Sequence, residues 1–185
     1  MIGDREPGLF VGFAGRARSG KDTAAAAAGM HRHAFADSIR AMASYIDPFL
    51  AESGVRLNEL LAQHGWDKAK SEYNEVRYLL AQLGQGGREV VDPNIWIWKM
   101  LETVPYFVFD LGQDHAITDV RYPNECEAIK RRGGLLVLIE RPGIPTYDHP
   151  SECALDDWTD WDHVIVNDGT LKEFEESVRA ALRGS

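Results

Sequence analysis

The chain has 185 residues, 44% hydrophobic and 26% charged, with a formal net charge of −9. That is the composition of a soluble globular protein of about one domain, long enough to bury its own core. The acidic balance argues against binding to nucleic-acid backbones, which needs clustered Lys and Arg, but allows a local basic pocket for small phosphates. No apolar run approaches the roughly 20 residues of a spanning helix. The polar start MIGDREPG does not read as a signal peptide. The expectation is a cytoplasmic protein with no membrane and no nucleic-acid polymer as partner. Cys126 and Cys153 make no disulfide framework, and reduced thiols are the default. His149 and Cys153 lack a second Cys/His pair nearby, so no metal centre is expected there.

In chain order, Leu9 to Ala14 is a short apolar run that predicts a buried strand. It leads into Gly15-Arg16-Ala17-Arg18-Ser19-Gly20-Lys21, with the glycine and lysine spacing of a phosphate-binding P-loop. Glycines let the backbone curl so that several N–H groups face one point. The start of the following helix, predicted from Thr23 to Ala28, adds partial positive charge there. Lys21 can then meet the outer phosphates of a nucleoside triphosphate. The next position, usually Ser or Thr, is Asp22, followed by Thr23. A carboxylate there is still an oxygen ligand of the kind magnesium takes. The alternative is a chance glycine-rich turn between strand and helix.

His33 to Asp37 predicts a second strand. A helix should run from Ser38 to about Asp47, capped by Asp37 or Ser38 and ended by Pro48. Glu52 to Glu75 is more polar, with a short amphipathic piece at Leu57–Leu61, and carries Trp66, Lys68 and Lys70. We read residues 53–100 as a flap inserted in a single domain spanning 1–185. Asn74 to Leu83 is helical, with Val76, Leu79, Leu80 and Leu83 on one face; Gly84, Gly86 and Gly87 should stop it. Asp92-Pro93 starts a helix bearing Ile95, Trp96, Trp98 and Met100. The tryptophans read as core rather than base-stacking platforms, although Trp- and Leu-bearing helices could also leave an apolar patch for a homodimer. Tyr106 to Phe109 fits a strand or a helix end.

Ala116 to Val120 predicts a buried strand, Asn124 to Arg132 a helix, and Leu135 to Glu140 the most strand-like run. Residues 141–157 form an irregular segment read as a lid, in which Tyr147-Asp148-His149 is a loop with His149 a minor catalytic candidate. His163–Val166 is a last strand, Asn167-Asp168-Gly169 a turn, and Leu171–Leu182 a final amphipathic helix. Strands alternating with helices imply an α/β fold: a central, mostly parallel sheet covered by helices on both faces.

Polar residues follow these strands: Asp37 after the second, Asp119 and Arg121 at the third, Arg141 after the fourth. In an open α/β sheet such positions converge on the crevice at the carboxyl ends. Asp119 in an apolar strand needs a cation, either magnesium or an ion pair with Arg121 or a neighbouring lysine. Phosphoryl transfer asks the protein for alignment and charge neutralisation, which points to Arg16, Arg18, Arg40, Arg77, Arg88, Arg121 and Arg141. Arg77 and Gln82, five apart on one helix, point in different directions.

The segments GRARSGKDT (15–23), HAFADSIR (33–40), ITDVRYPNE (117–125) and VIVNDG (164–169) resemble those of the bacteriophage deoxynucleoside monophosphate kinases. That family has a P-loop kinase-type three-layer fold. The resemblance runs from Leu9 to about Leu182. It implies transfer of the γ-phosphate of ATP, with Mg2+, to a deoxynucleoside monophosphate (dNMP) in phage DNA precursor synthesis. It also implies an ATP site at Gly15, Arg16, Ser19, Gly20, Lys21, Asp22 and Thr23, with Asn167 and Gly169 near the adenine. The acceptor would meet Asp37, Arg40, Arg77, Gln82, Arg88 and Arg121. Lys21, Arg121, Arg141 and Asp37 would carry catalysis, and Asp22 and Asp119 the metal. A P-loop kinase for another phosphorylated acceptor, similar to dephospho-coenzyme A kinases, or a non-catalytic nucleotide-binding protein are the alternatives.

Overall fold

The structure is a computed structural model that describes residues 8–102, 104, 108, 111–145 and 150–183. In order the elements are β1 (Phe10–Ala14), α1 (Lys21–Ala27), β2 (His31–His33), α2 (Phe35–Ile46), β3 (Phe49–Leu50) and β4 (Val55–Arg56). Then come α3 (Leu57–Glu72), α4 (Asn74–Gly86), a π-helical turn Gly87–Val91 and α5 (Ile95–Leu101). The chain ends with β5 (His115–Val120), α6 (Pro123–Lys130), β6 (Leu135–Glu140), α7 (Pro150–Cys153), β7 (His163–Val166) and α8 (Leu171–Leu182). It divides into two compact units, residues 1–34 with 100–185, and residues 35–99. No helix among the described residues is long and apolar enough to cross a membrane.

The first unit is built on five parallel strands in the order β2-β5-β1-β6-β7. All five residues of β1 are buried, as a strand covered on both faces requires. Val11 and Phe13 pack with Val137 and Ile139 against Ala24 and Ala25 of α1 and Phe174, Val178 and Leu182 of α8. On the other face α6 packs against β1 and β6. Gly12 permits that approach: a Cβ there would stand 2.6 Å from Ile129 Cδ1 and 3.1 Å from Leu136 and Val120. This is the expected three-layer α/β arrangement, consistent with a P-loop kinase-type fold. Strand order reverses at β1, so the loop after β1 emerges between the carboxyl ends of β5 and β6. Arg121 and Arg141 follow those two strands.

In the second unit Ala43, Leu50, Leu57, Leu60, Ala69 and Val76 form a core, with Leu79, Leu80 and Leu83 packed on it. The apolar stripe of α4 is therefore the expected one. β3 and β4 form a small antiparallel hairpin that the sequence reading did not anticipate. Its turn is pinned by Glu75, whose carboxylate accepts from the Ala51 and Glu52 N–H groups at 3.1 and 2.9 Å. The piece at Leu57–Leu61 is the start of the longer α3, interrupted at Gly65, where φ is +70°.

Two expectations need correction here. The second strand is His31–His33, and Phe35 already begins α2. Asp37 therefore lies in a helix's first turn, not at a strand end. Phe35, Ile39 and Ala43 are the buried residues of α2; this four-residue spacing outweighs the brief alternation in HAFAD. Nor does the helical path stop at the glycines: α4 passes through Gly84, ends at Gly86 with Gly87 as its cap, and continues as the π-helical turn. Gly84 and Gly87 serve close packing: a Cβ on Gly84 would lie 3.1 Å from Ile39 Cδ1, and one on Gly87 2.6 Å from the Trp96 ring. Trp96 is buried and its Nε1 donates to Gly84 O at 2.9 Å. Trp98 is exposed. Strands 135–140 and 163–166 and helix 171–182 fall where their patterns put them. Tyr106, Phe107, Phe109 and Tyr147-Asp148-His149 lie outside the described residues.

Candidate phosphate site

The loop after β1 is shaped by residues with positive φ, two of them glycines with no room for a side chain. Gly15 has φ +133°, and a Cβ on it would come within 2.3 Å of Ile139 O. Gly20, the N-cap of α1, has φ +112°. Arg18 also takes positive φ, at 66°, an uncommon state for a residue with a Cβ. The turn closes through Ser19 N–H to Arg16 O at 3.2 Å. Asn167, just past β7, braces it: its Nδ2 donates to Ser19 O at 2.8 Å, and its N–H donates to Glu140 O at 2.7 Å. Gly169 lies in the turn before Thr170, the N-cap of α8.

Lys21 is buried, and its Nζ donates to Gly15 O and Arg16 O, both at 2.7 Å. Burial, reinforced by the charge of Arg121, lowers its pKa to about 8; Glu152, Asp22 and Asp119 pull the other way. Arg18, Gly20, Lys21, Asp22, Thr23 and Arg141 line a cavity of about 260 Å³ at the start of α1. Asp22 Oδ1 accepts from Thr118 Oγ1 at 2.6 Å and from Arg32 Nε at 2.7 Å. Burial alone would raise its pKa, but these bonds and the charges of Arg32 and Lys21 leave it lowered. Asp119, half-buried on β5, acts on Lys21 through its charge. Among the described residues no group of three or more His, Cys, Asp or Glu is placed to hold a metal ion. Magnesium, however, commonly takes one or two carboxylates and completes its shell with phosphate and water, and Asp22 and Asp119 are donors of that type.

Arg121, just past β5, lines a cavity with Gly15 and Arg16 of the loop. Its Nη1 donates to Ser151 Oγ at 3.2 Å and to the carboxylate of Glu152. Its N–H donates to Glu125 Oε2 at 2.8 Å, and Glu125 is almost wholly buried as part of the capping box of α6. Glu152 Oε2 accepts from the Ala17 N–H of the loop at 3.0 Å. Burial would raise the Glu152 pKa; the Ala17 bond and the Arg121 and Lys21 charges hold it below the ordinary value. A larger cavity of about 440 Å³ runs from Gly15, Arg16, Arg121 and Arg141 to Trp158 and Trp161. Arg16 reaches Asp156 at 3.7 Å, and exposed Arg141 donates to Arg18 O at 3.4 Å.

Thr118, Glu125 and Glu152 escaped the sequence reading. Glu125 had a signal, Tyr122-Pro123-Asn124-Glu125, with proline at the first helical position and glutamate at the third. Thr118 and Glu152 had none, because their partners lie 96 and 135 residues away.

The remaining candidates belong to the second unit. Arg40 pairs with Asp37 at 3.6 Å and lies 5.8 Å from the Trp66 ring centroid; its Nε is buried without a hydrogen bond. Arg77, exposed on α4, donates to Lys70 O at 2.7 Å and Ser71 O at 2.9 Å, closing the last turn of α3. Gln82 is exposed on α4, and Arg88 donates to Gly84 O at 3.3 Å.

No family model matches the chain. Among similar proteins is the uncharacterized protein ORF77 of Ictalurid herpesvirus 1 (strain Auburn), 37% identical over 110 residues, 57% of this chain and 47% of that protein. A putative deoxynucleotide monophosphate kinase of Acanthamoeba polyphaga mimivirus is 46% identical over 63 residues, 34% of this chain and 33% of that protein. A deoxynucleoside-5'-monophosphate kinase of Escherichia phage T5 is 27% identical over 121 residues, 60% of this chain and 47% of that protein. The chain thus spans less than half the length of these relatives.

Proposed function

We propose that this chain is a deoxynucleoside monophosphate kinase. The γ-phosphorus of ATP leaves its bridging oxygen to ADP and bonds to a 5′-phosphate oxygen of the acceptor. The observation that carries this reading is the loop itself. A buried lysine sits on two loop carbonyls at the start of α1, and an arginine from the neighbouring strand end is linked to the loop through Glu152. The two kinase-named relatives support it. Lys21 and Arg121 neutralise charge on the migrating group, which is most of what this reaction asks of a protein. Asp22 and Asp119 would hold magnesium, which when bound offsets the negative charge of the phosphates. Asp37 and Arg40 are the acceptor-side candidates of the second unit.

The test is an assay coupled to ADP release with dAMP, dGMP, dCMP, dTMP and the ribonucleotides as acceptors. Turnover with at least one deoxynucleotide is expected. Absence of turnover with every monophosphate refutes the reading, and dephospho-coenzyme A then becomes the next acceptor to try.

A further inference from the structure

The Glu152 carboxylate has the partners that a phosphate oxygen would take on this loop. One oxygen accepts a main-chain N–H of the loop, from Ala17; the other accepts the Arg121 guanidinium. The side chain is 6% exposed, and the charge of Lys21 acts on it as well. A loop amide and a guanidinium thus hold an anion that the chain itself supplies, and a nearby ammonium attracts it.

We propose that Glu152 is a resident stand-in for phosphate, occupying the Arg121 side of the loop until a phosphate group displaces it. Three features favour displacement over permanent residence. First, a phosphate placed beside Lys21 and Arg121 would compete for the same donors and would face the carboxylate as a like charge. Second, Glu152 comes from the four-residue α7, outside the sheet, so its side chain can turn away without disturbing a strand. Third, Arg121 keeps a second acceptor in Ser151 Oγ and a backbone anchor in Glu125, so the guanidinium stays in place when the carboxylate leaves. While Glu152 is seated, the Arg121 charge is neutralised and a buried carboxylate is paired, as burial demands. The inference rests on the nucleotide-kinase reading only for whose phosphate does the displacing.

Sulfate is the probe, because its charge is constant across the working pH range. Calorimetry on the full chain should show E152Q binding sulfate about tenfold more tightly than the unsubstituted protein, since glutamine keeps the shape and removes the competing charge. Equal or weaker binding overturns the proposal and makes Glu152 a fixed brace for Arg121. If E152Q does not fold, as circular dichroism would show, the unsubstituted protein decides. Saturating sulfate should shift the Ala17 amide resonance, and an unmoved resonance overturns the proposal. The two readings fail separately. A chain that transfers no phosphoryl group can still bind sulfate more tightly as E152Q, and an active kinase can fail to do so.

Discussion

In the sheet unit the polar contacts around the loop join residues far apart in the chain: Thr118 to Asp22, Ala17 to Glu152, Asn167 to Ser19. In the helical unit three arginines have hydrogen-bond or ion-pair partners nearby in the chain: Arg40 pairs with Asp37, Arg77 donates to Lys70 O and Ser71 O, and Arg88 donates to Gly84 O. The difference teaches where charge is free for chemistry. Arginines bonded to nearby carbonyls finish helix ends, work that any helix needs. Cations gathered from distant strand ends serve the point where those ends converge, which in an open α/β sheet is the ligand crevice.

The contrast can be broken most sharply at Lys21. Lys21→Ala should lower kcat by roughly 100-fold or more, because it removes charge stabilisation from the migrating phosphoryl group. Near-normal turnover would place the catalytic charge elsewhere. Gly20→Ala comes next. At φ +112°, with the new Cβ 2.8 Å from Asn167 Nδ2, it should cost roughly 1–3 kcal/mol in thermal unfolding. An unchanged midpoint would show that the loop tolerates a side chain there.

The pH dependence of triphosphate binding sharpens the same side of the comparison. Lys21 titrates near 8 when folded, against 10.5 ordinarily. Its charge, and with it the affinity, should fall as pH rises through about 8. The same group makes the stability of the ligand-free protein rise as pH increases from about 8 to 10.5, because there the unfolded chain holds a proton that the folded chain has lost, and the cost of burying the charge is relieved. Calorimetry across that range checks the affinity, and a flat profile would show that Lys21 keeps its proton.

In the helical unit smaller effects are expected. Arg77→Ala should cost about 1 kcal/mol through lost hydrogen bonds to α3 and leave KM for the monophosphate unchanged. A raised KM would assign Arg77 to the acceptor. Gly86→Ala, with nothing within 4 Å of the new Cβ, should stabilise by about 0.5 kcal/mol. A loss of stability would mean that its helical backbone is strained.

Much of this was legible in the residues. The loop spacing, the run 135–140 and the helix 171–182 are local patterns, set by side-chain period and by where glycine is tolerated. The start of α2 and the fate of the glycines after Leu83 were misread, because burial of Phe35 and the closeness of Trp96 to Gly87 are facts of packing.

By itself, then, the sequence determined the alternation of strands and helices in the parallel sheet and a loop with the glycine and lysine spacing of a P-loop, Lys21 at its end. Only the tertiary structure decided that Thr118 and Arg32 engage Asp22 and that Glu152 meets the loop. Periodicity and loop chemistry act over a few residues. The partners of a buried charge are chosen by which strand ends the sheet order brings side by side.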